Sequence, residues 1–243
     1  MFETIIYEKI NKYAVLTFNR AEQRNAINHT MRCEIIAALG EAKEDPEVRC
    51  VVLKAEGKSF CAGRDINDVR AMSDRPITEV VADWEKQGEL LNAFHDFPKP
   101  LVAAVQGHAL GFGCSILTYC DLVVSDEKAV FGFPEINLNI VPGIASVNAA
   151  RIISKRKFTE MIMLGKKFGP AEAEQIGIIN TVVEDNTAFE TAKAWAEQIS
   201  GIDPTTMALS KKFIRTLGSG EYSSEMFSSL GVMTMGFAHK GGR

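Results

Sequence analysis

Short runs rich in β-branched and aromatic residues alternate along this chain with longer stretches of helical periodicity. Thr4 to Glu8 and Tyr13 to Phe18 are separated by the polar Lys9-Ile10-Asn11-Lys12, the pattern of two strands joined by a turn. Within Thr30 to Glu44 the apolar residues Met31, Ile35, Ile36, Leu39 and Ala42 recur at helical spacing. A helix is therefore predicted to follow Asn28 and to close at Asp45-Pro46. Cys50 to Ala55 and Leu101 to Val105 read as buried strands, with a long amphipathic stretch, Ile77 to Phe97, between them. Asp121 to Ser125 and Asn180 to Val183 add further strands, so the order of elements predicts an α/β architecture.

The pattern changes near residue 187. Thr187-Ala188-Phe189-Glu190 has the form of a capping box ahead of a helix with Ala188, Ala192, Trp195, Ala196 and Ile199 on one face. Asp203-Pro204 then places an N-cap before proline at the first helical position, and Gly218 offers a stop. The expected organisation is a core over residues 1–186 and a helical region over 187–243. Met226, Phe227, Leu230, Val232, Met233 and Met235 in that region predict an interface between subunits.

Composition narrows the partners. A net charge of −4 gives no general attraction to nucleic acid or to an anionic membrane. The 46% hydrophobic content suits a soluble globular core. Five cysteines, Cys33, Cys50, Cys61, Cys114 and Cys120, form no CxxC pair and read as reduced thiols. The start Met1-Phe2-Glu3-Thr4 carries no signal-peptide pattern, and no run of about 18 apolar residues occurs. A cytoplasmic protein without a membrane span is expected.

The candidate chemistry lies where two buried strands run into glycine-rich segments, Ser59 to Ile66 and Gly107 to Ser115, followed by Phe133-Pro134-Glu135. Removing a proton beside a thioester carbonyl requires donors for the charge that develops on oxygen. Backbone N–H groups at glycine turns and helix starts supply them without reorganising. A carboxylate must also reach the carbon, and apolar neighbours raise its proton affinity. Glu135, flanked by Phe131, Phe133, Pro134 and Ile136, fits.

Other readings fit less well. The glycine turn resembles a dinucleotide site, but it lies far from the first strand. Ser115 lacks the glycine two residues on that a nucleophile elbow requires. His29, His95, His108 and His239 show no metal-ligand spacing, so no metal site is expected.

From about Ile6 to about Phe213 the chain resembles the crotonase, or enoyl-CoA hydratase/isomerase, family. The likeness is carried by Phe18 to Ile27, Phe60 to Ile66, Gly107 to Asp121, Phe131 to Glu135 and Pro142-Gly143. It implies a spiral of ββα units ending in a helical region, assembled as a homotrimer or a dimer of trimers. It implies oxyanion donors at the N–H groups of Arg64 and Phe112, with Gly111 in the turn. Arg24 would then meet the coenzyme A phosphates, and the main chain around Ala26, Ala62, Asp65 and Ile66 would cradle the rest. Coenzyme A would arrive as part of the acyl-CoA substrate, with no permanently bound cofactor.

Hydratases of this family carry a glutamate where Ser115 stands, which leaves Glu135 as the single carboxylate. That departure points to isomerisation of 3-enoyl-CoA to 2-enoyl-CoA. An enoyl-CoA hydratase or hydratase-lyase using Ser115 with Glu135 is the alternative, and a non-catalytic oligomeric binding protein is the alternative of another class. The loop Met72 to Val81 is expected to form part of the acyl pocket wall.

Overall fold

The computed structural model describes residues 2–217 and 222–241, with part of the side chains in the last helix. Strands β1 (Ile5–Ile10) and β2 (Tyr13–Phe18) pair antiparallel, with Ile10 opposite Tyr13. The turn is therefore two residues long, shorter than the polar run suggested. Asn11 takes the positive φ of 54° that such a tight connection needs.

From β2 onward the chain spirals. Each circuit places a strand in a large parallel sheet, then a short segment in a second layer, then one or more helices. The first circuit runs from β2 through Ile27, which bridges to Arg64, into α1 (His29–Glu44). Asn28 caps α1 by accepting the Met31 N–H at 2.9 Å. The second runs through β3 (Cys50–Ala55), a bridge from Cys61 to Ala109, α2 (Ile66–Ala71) and α3 (Ile77–His95). The third comprises β4 (Leu101–Val105), β5 (His108–Leu110) and α4 (Phe112–Leu117). The fourth comprises β6 (Leu122–Asp126), β7 (Val130–Gly132), α5 (Gly143–Ile152) and α6 (Lys155–Leu164). Then come β8 (Lys167–Phe168), α7 (Pro170–Gln175) and β9 (Thr181–Val183). The large sheet has six strands in the order β1-β2-β3-β4-β6-β9, and β5-β7-β8 form a second sheet of three.

The large sheet is buried on both faces, which is why its strands read as continuous apolar runs. Leu16, Val51, Leu53, Ala103 and Val105 face the main core, while Tyr13, Val15, Val52, Val102 and Val124 face the other way. That second face is covered by α8 (Ala188–Ser200), whose Ala192 and Ala196 are fully buried against it. The helical region thus opens with a helix that is a layer of the core. Two further helices follow, α9 (Pro204–Thr216) and α10 (Tyr222–Gly241), which pack on each other. Asp203 caps α9 by accepting the Thr206 N–H at 2.8 Å, and buried Lys211 pins α9 down by donating to Asp121 Oδ2 and to Lys99 O, both at 2.6 Å. Along α10, Met226, Leu230, Met233 and Met235 are exposed. Gly218 and the Phe227 side chain lie outside the described residues.

The capping box is a correction. Thr187 turns its hydroxyl back to Glu184 O at 2.7 Å and makes no side-chain cap. The first amide of α8, Ala188 N–H, is instead accepted by Asp126 Oδ1 at 3.0 Å, from the end of β6, one of the strands that α8 packs across. Asp126→Ala should therefore cost about 1 kcal/mol in denaturant unfolding, the usual value of a lost cap, and Thr187→Ala only a few tenths. The reverse order would restore the local cap.

Candidate active site

The segment Phe60 to Asp65 leaves β3 and is held from both sides by backbone hydrogen bonds. On one side Phe60 N–H donates to Gln106 O, Cys61 N–H to His108 O and Leu110 N–H to Cys61 O, all at 2.9 Å. On the other, Ala62 N–H donates to Arg24 O at 3.0 Å, Ile27 N–H to Gly63 O at 2.8 Å and Asp65 N–H to Ile27 O at 3.0 Å. Those last two bonds engage the groups flanking Arg64 and turn the Arg64 N–H away from Ile27, toward the cavity that Arg64 lines.

The second turn ends at Gly111, with φ 53° and ψ −121°, a conformation open to glycine. Gly111 N–H donates to Gly132 O at 2.7 Å, and α4 begins at the next residue. Phe112 N–H is thus a first-turn amide with no partner inside its helix. A Cβ on Gly63 would stand 3.6 Å from Phe112 N, so the two turns meet at this point.

Glu135 reaches the same point from a 3-10 turn, Pro134–Leu138, that follows β7. A Cβ on Gly111 would lie 2.8 Å from Glu135 Oε1, so the carboxylate rests directly over the glycine. Its Oε2 is buried without a hydrogen-bond partner among the described residues. Burial, outweighing a hydrogen bond from its own backbone N–H, pushes the Glu135 carboxyl above its ordinary value of 4.5. Arg64, Phe112 and Glu135, a base of raised proton affinity, thus line one small cavity of about 110 Å³. Such an arrangement can hold charge developing on a carbonyl oxygen while a proton leaves the adjacent carbon.

Of the residues singled out in the sequence, Ala62, Arg64, Ile66, Gly111, Phe112 and Glu135 line this cavity. Ser115 does not. It is fully buried on α4 and its Oγ has no partner among the described residues. Arg24 is exposed, and its carbonyl is occupied by Ala62 N–H. Ala26 O is taken by the Arg20 guanidinium, and Asp65 pairs with Arg20 at 3.1 Å while capping α2 at Asn67 N–H. Ala26 and Asp65 thus brace the first turn from behind.

The wall expected from Met72 to Val81 is a correction, because α2 and α3 supply it through Val69, Trp84 and Gln87. Gln87 was legible in principle. It precedes Leu90, Leu91 and Phe94 on the buried stripe of α3, where an apolar residue is the rule. A larger cleft of about 770 Å³ beneath α9, around His95, Lys211 and Arg215, contains neither glycine turn.

Known proteins resemble this chain over most of its length. The family model described as enoyl-CoA hydratase/isomerase matches residues 8–226. A short-chain-enoyl-CoA hydratase of Clostridium acetobutylicum is 35% identical over 216 residues, covering 86% of this chain and 80% of the relative. A Rhizobium meliloti protein named "Probable enoyl-CoA hydratase" is 32% identical, covering 94% and 90%. The crystal structure of an enoyl-CoA hydratase from Polaromonas sp. JS666 superposes with a TM-score of 0.92 at 28% identity, covering 98% of this chain and 93% of that one.

The raised proton affinity of Glu135 has a sign that can be measured. Its stabilising contribution is complete below 4.5, where folded and unfolded chains are both protonated, and is lost as pH rises through the folded value. Wild type should lose stability over that window relative to Glu135→Gln, as followed by thermal melting across pH. A difference between the two proteins that does not change with pH would place the carboxyl in a solvated setting.

Proposed function

Because the chain belongs to the enoyl-CoA hydratase/isomerase family, we propose that it moves the double bond of a 3-enoyl-CoA thioester to the 2 position. The thioester oxygen sits between the N–H groups of Arg64 and Phe112. Glu135 takes a proton from C2, the electron pair delocalises onto the carbonyl oxygen, and the same carboxyl returns the proton at C4 as the C3–C4 double bond shifts to C2–C3. The observation that carries this reading is that Glu135 is the one carboxylate lining the cavity among the described residues. One base serves both carbons, whereas hydration needs a positioned water as well as a proton return.

The relatives' names and the unpartnered Ser115 Oγ support a second reading, hydration or a hydratase-lyase reaction with Ser115 and Glu135. The exposed Arg24 serves as a contact for the coenzyme A phosphates, with the main chain near Ala26, Ala62, Asp65 and Ile66 along the thioester's path. No helix among the described residues is long and apolar enough to cross a membrane. All five cysteines are free, which supports a reducing, cytoplasmic setting. Burial pushes the Cys61 and Cys114 thiols up to about 12, leaving them inert.

Product analysis separates the two reactions. A 3-enoyl-CoA should be converted at least tenfold faster than water is added to crotonyl-CoA, and Glu135→Gln should lose both activities by about 10²-fold or more while binding coenzyme A normally. Faster formation of the 3-hydroxyacyl product selects the second reading. Wild-type turnover in Glu135→Gln removes the base from either.

The exposed methionines and Leu230 of α10 support assembly into a trimer or a dimer of trimers. Sedimentation should give a mass three or six times that of the chain, and deletion of residues 222–243 should lower it. A monomeric intact chain would count against assembly alone.

A further inference from the structure

One wall of the acyl cavity does not suit a hydrocarbon tail. Gln87, 1% exposed on α3, accepts a hydrogen bond at Oε1 from Arg32 Nη1 at 3.2 Å. A guanidinium only donates, so this contact fixes which way the amide points. Gln87 Nε2 is left as a buried donor without a partner, on a residue that lines the cavity.

Beside it stands the Arg64 side chain, stacked on Trp84 with 4.7 Å to the ring centroid. Its Nη2 donates to Asp83 Oδ2 at 2.6 Å, and its buried Nε has no partner. Asp83 is not free to neutralise it alone. Arg32, with no exposed surface, donates to Asp83 Oδ1 at 2.5 Å and to Oδ2 at 3.1 Å. Two guanidinium groups therefore share one carboxylate, which leaves a buried surplus of positive charge. Asp68, the next acid to influence Arg64, accepts the His29 N–H on the outer side. The lining of the cavity thus includes unpartnered donors and positive charge, and a methyl-terminated chain would leave both unanswered.

We propose that the cavity selects acyl groups ending in a carboxylate, so that the substrate class is the mono-coenzyme A thioester of a short unsaturated dicarboxylic acid. The substrate carboxylate accepts from Gln87 Nε2 and Arg64 Nε and balances the surplus charge. The small size of the cavity, about 110 Å³, favours a short chain. The inference rests on the acyl-CoA reading above and holds for isomerase and hydratase alike.

The test begins with binding, which needs no turnover. Calorimetry with saturated hexanedioyl-CoA and hexanoyl-CoA should give at least tenfold tighter binding of the dicarboxylic thioester to the wild type. Gln87→Leu should lose most of that preference, read as the ratio of the two affinities. Gln87→Glu should weaken the dicarboxylic thioester further, by charge repulsion. In turnover, wild type should prefer 3-hexenedioyl-CoA over 3-hexenoyl-CoA by a similar factor in kcat/KM.

Equal affinity of the wild type for the two saturated thioesters overturns the proposal even if no variant folds. An equal loss by Gln87→Leu on both unsaturated substrates also overturns it. A preserved binding preference with neither unsaturated thioester converted sustains this inference and defeats the reaction reading instead.

Discussion

The clamp on the segment Phe60 to Asp65 is the constraint from which the rest of the site follows. A glycine turn is soft by itself, and two amides aimed at one oxygen are useful only if they are placed before the substrate arrives. Here the segment is zipped to residues 106–110 on one edge and to residues 24–27 on the other. Fully buried Asn25 closes the arrangement, with Oδ1 accepting the Arg20 N–H and Nδ2 donating to Glu56 O and Ser59 O. Gly107 completes it from the other side, since a Cβ there would lie 1.9 Å from Lys58 O. Three circuits of the spiral are thereby locked where their loops cross. The position of Arg64 relative to Phe112 becomes a property of the whole domain.

A second lock is ionic. Arg32 comes from α1, Arg64 from the clamped turn, and Asp83 with Gln87 from α3. Burial alone would raise the Asp83 carboxyl, but the hydrogen bonds of Arg32 and the charge of Arg64 hold it below its usual value. Buried ion pairs of this kind are weak evidence of net stability, because desolvation offsets most of the attraction. What they give is a fixed geometry for the side chain of Arg64 and a defined orientation for Gln87.

Much of this was legible in the sequence because the signals were local and strong. The strands Cys50–Ala55 and Leu101–Val105 end where their apolar runs end, and Asn28 and Asp203 cap the helices they precede. Most of the cavity lining from the glycine turns and the Pro-Glu motif was found too, since each lies within a few residues of a strand end. The second sheet was not. β5, β7 and β8 are only two or three residues long, too short for period-two patterning to register. The true cap of α8 comes from Asp126, sixty-two positions away, and no local pattern could compete with Thr187 for that role. Gln87 was overlooked for a related reason, despite its place on the buried stripe of α3. A polar residue in an amphipathic helix reads as solvent-facing until α1 is known to pack against it.

The two amides that our proposal gives to the reacting oxygen belong to peptide bonds at positions 64 and 112, so the genetic code barely touches them. Among the standard residues only proline lacks the N–H. The Arg64 side chain, by contrast, is what our proposal sets against the acyl group. A lineage can exchange that side chain, and with it the molecules it accepts, without passing through a chain that has lost its means of holding the developing charge. Reactivity is inherited with the course of the main chain, and preference remains open to drift.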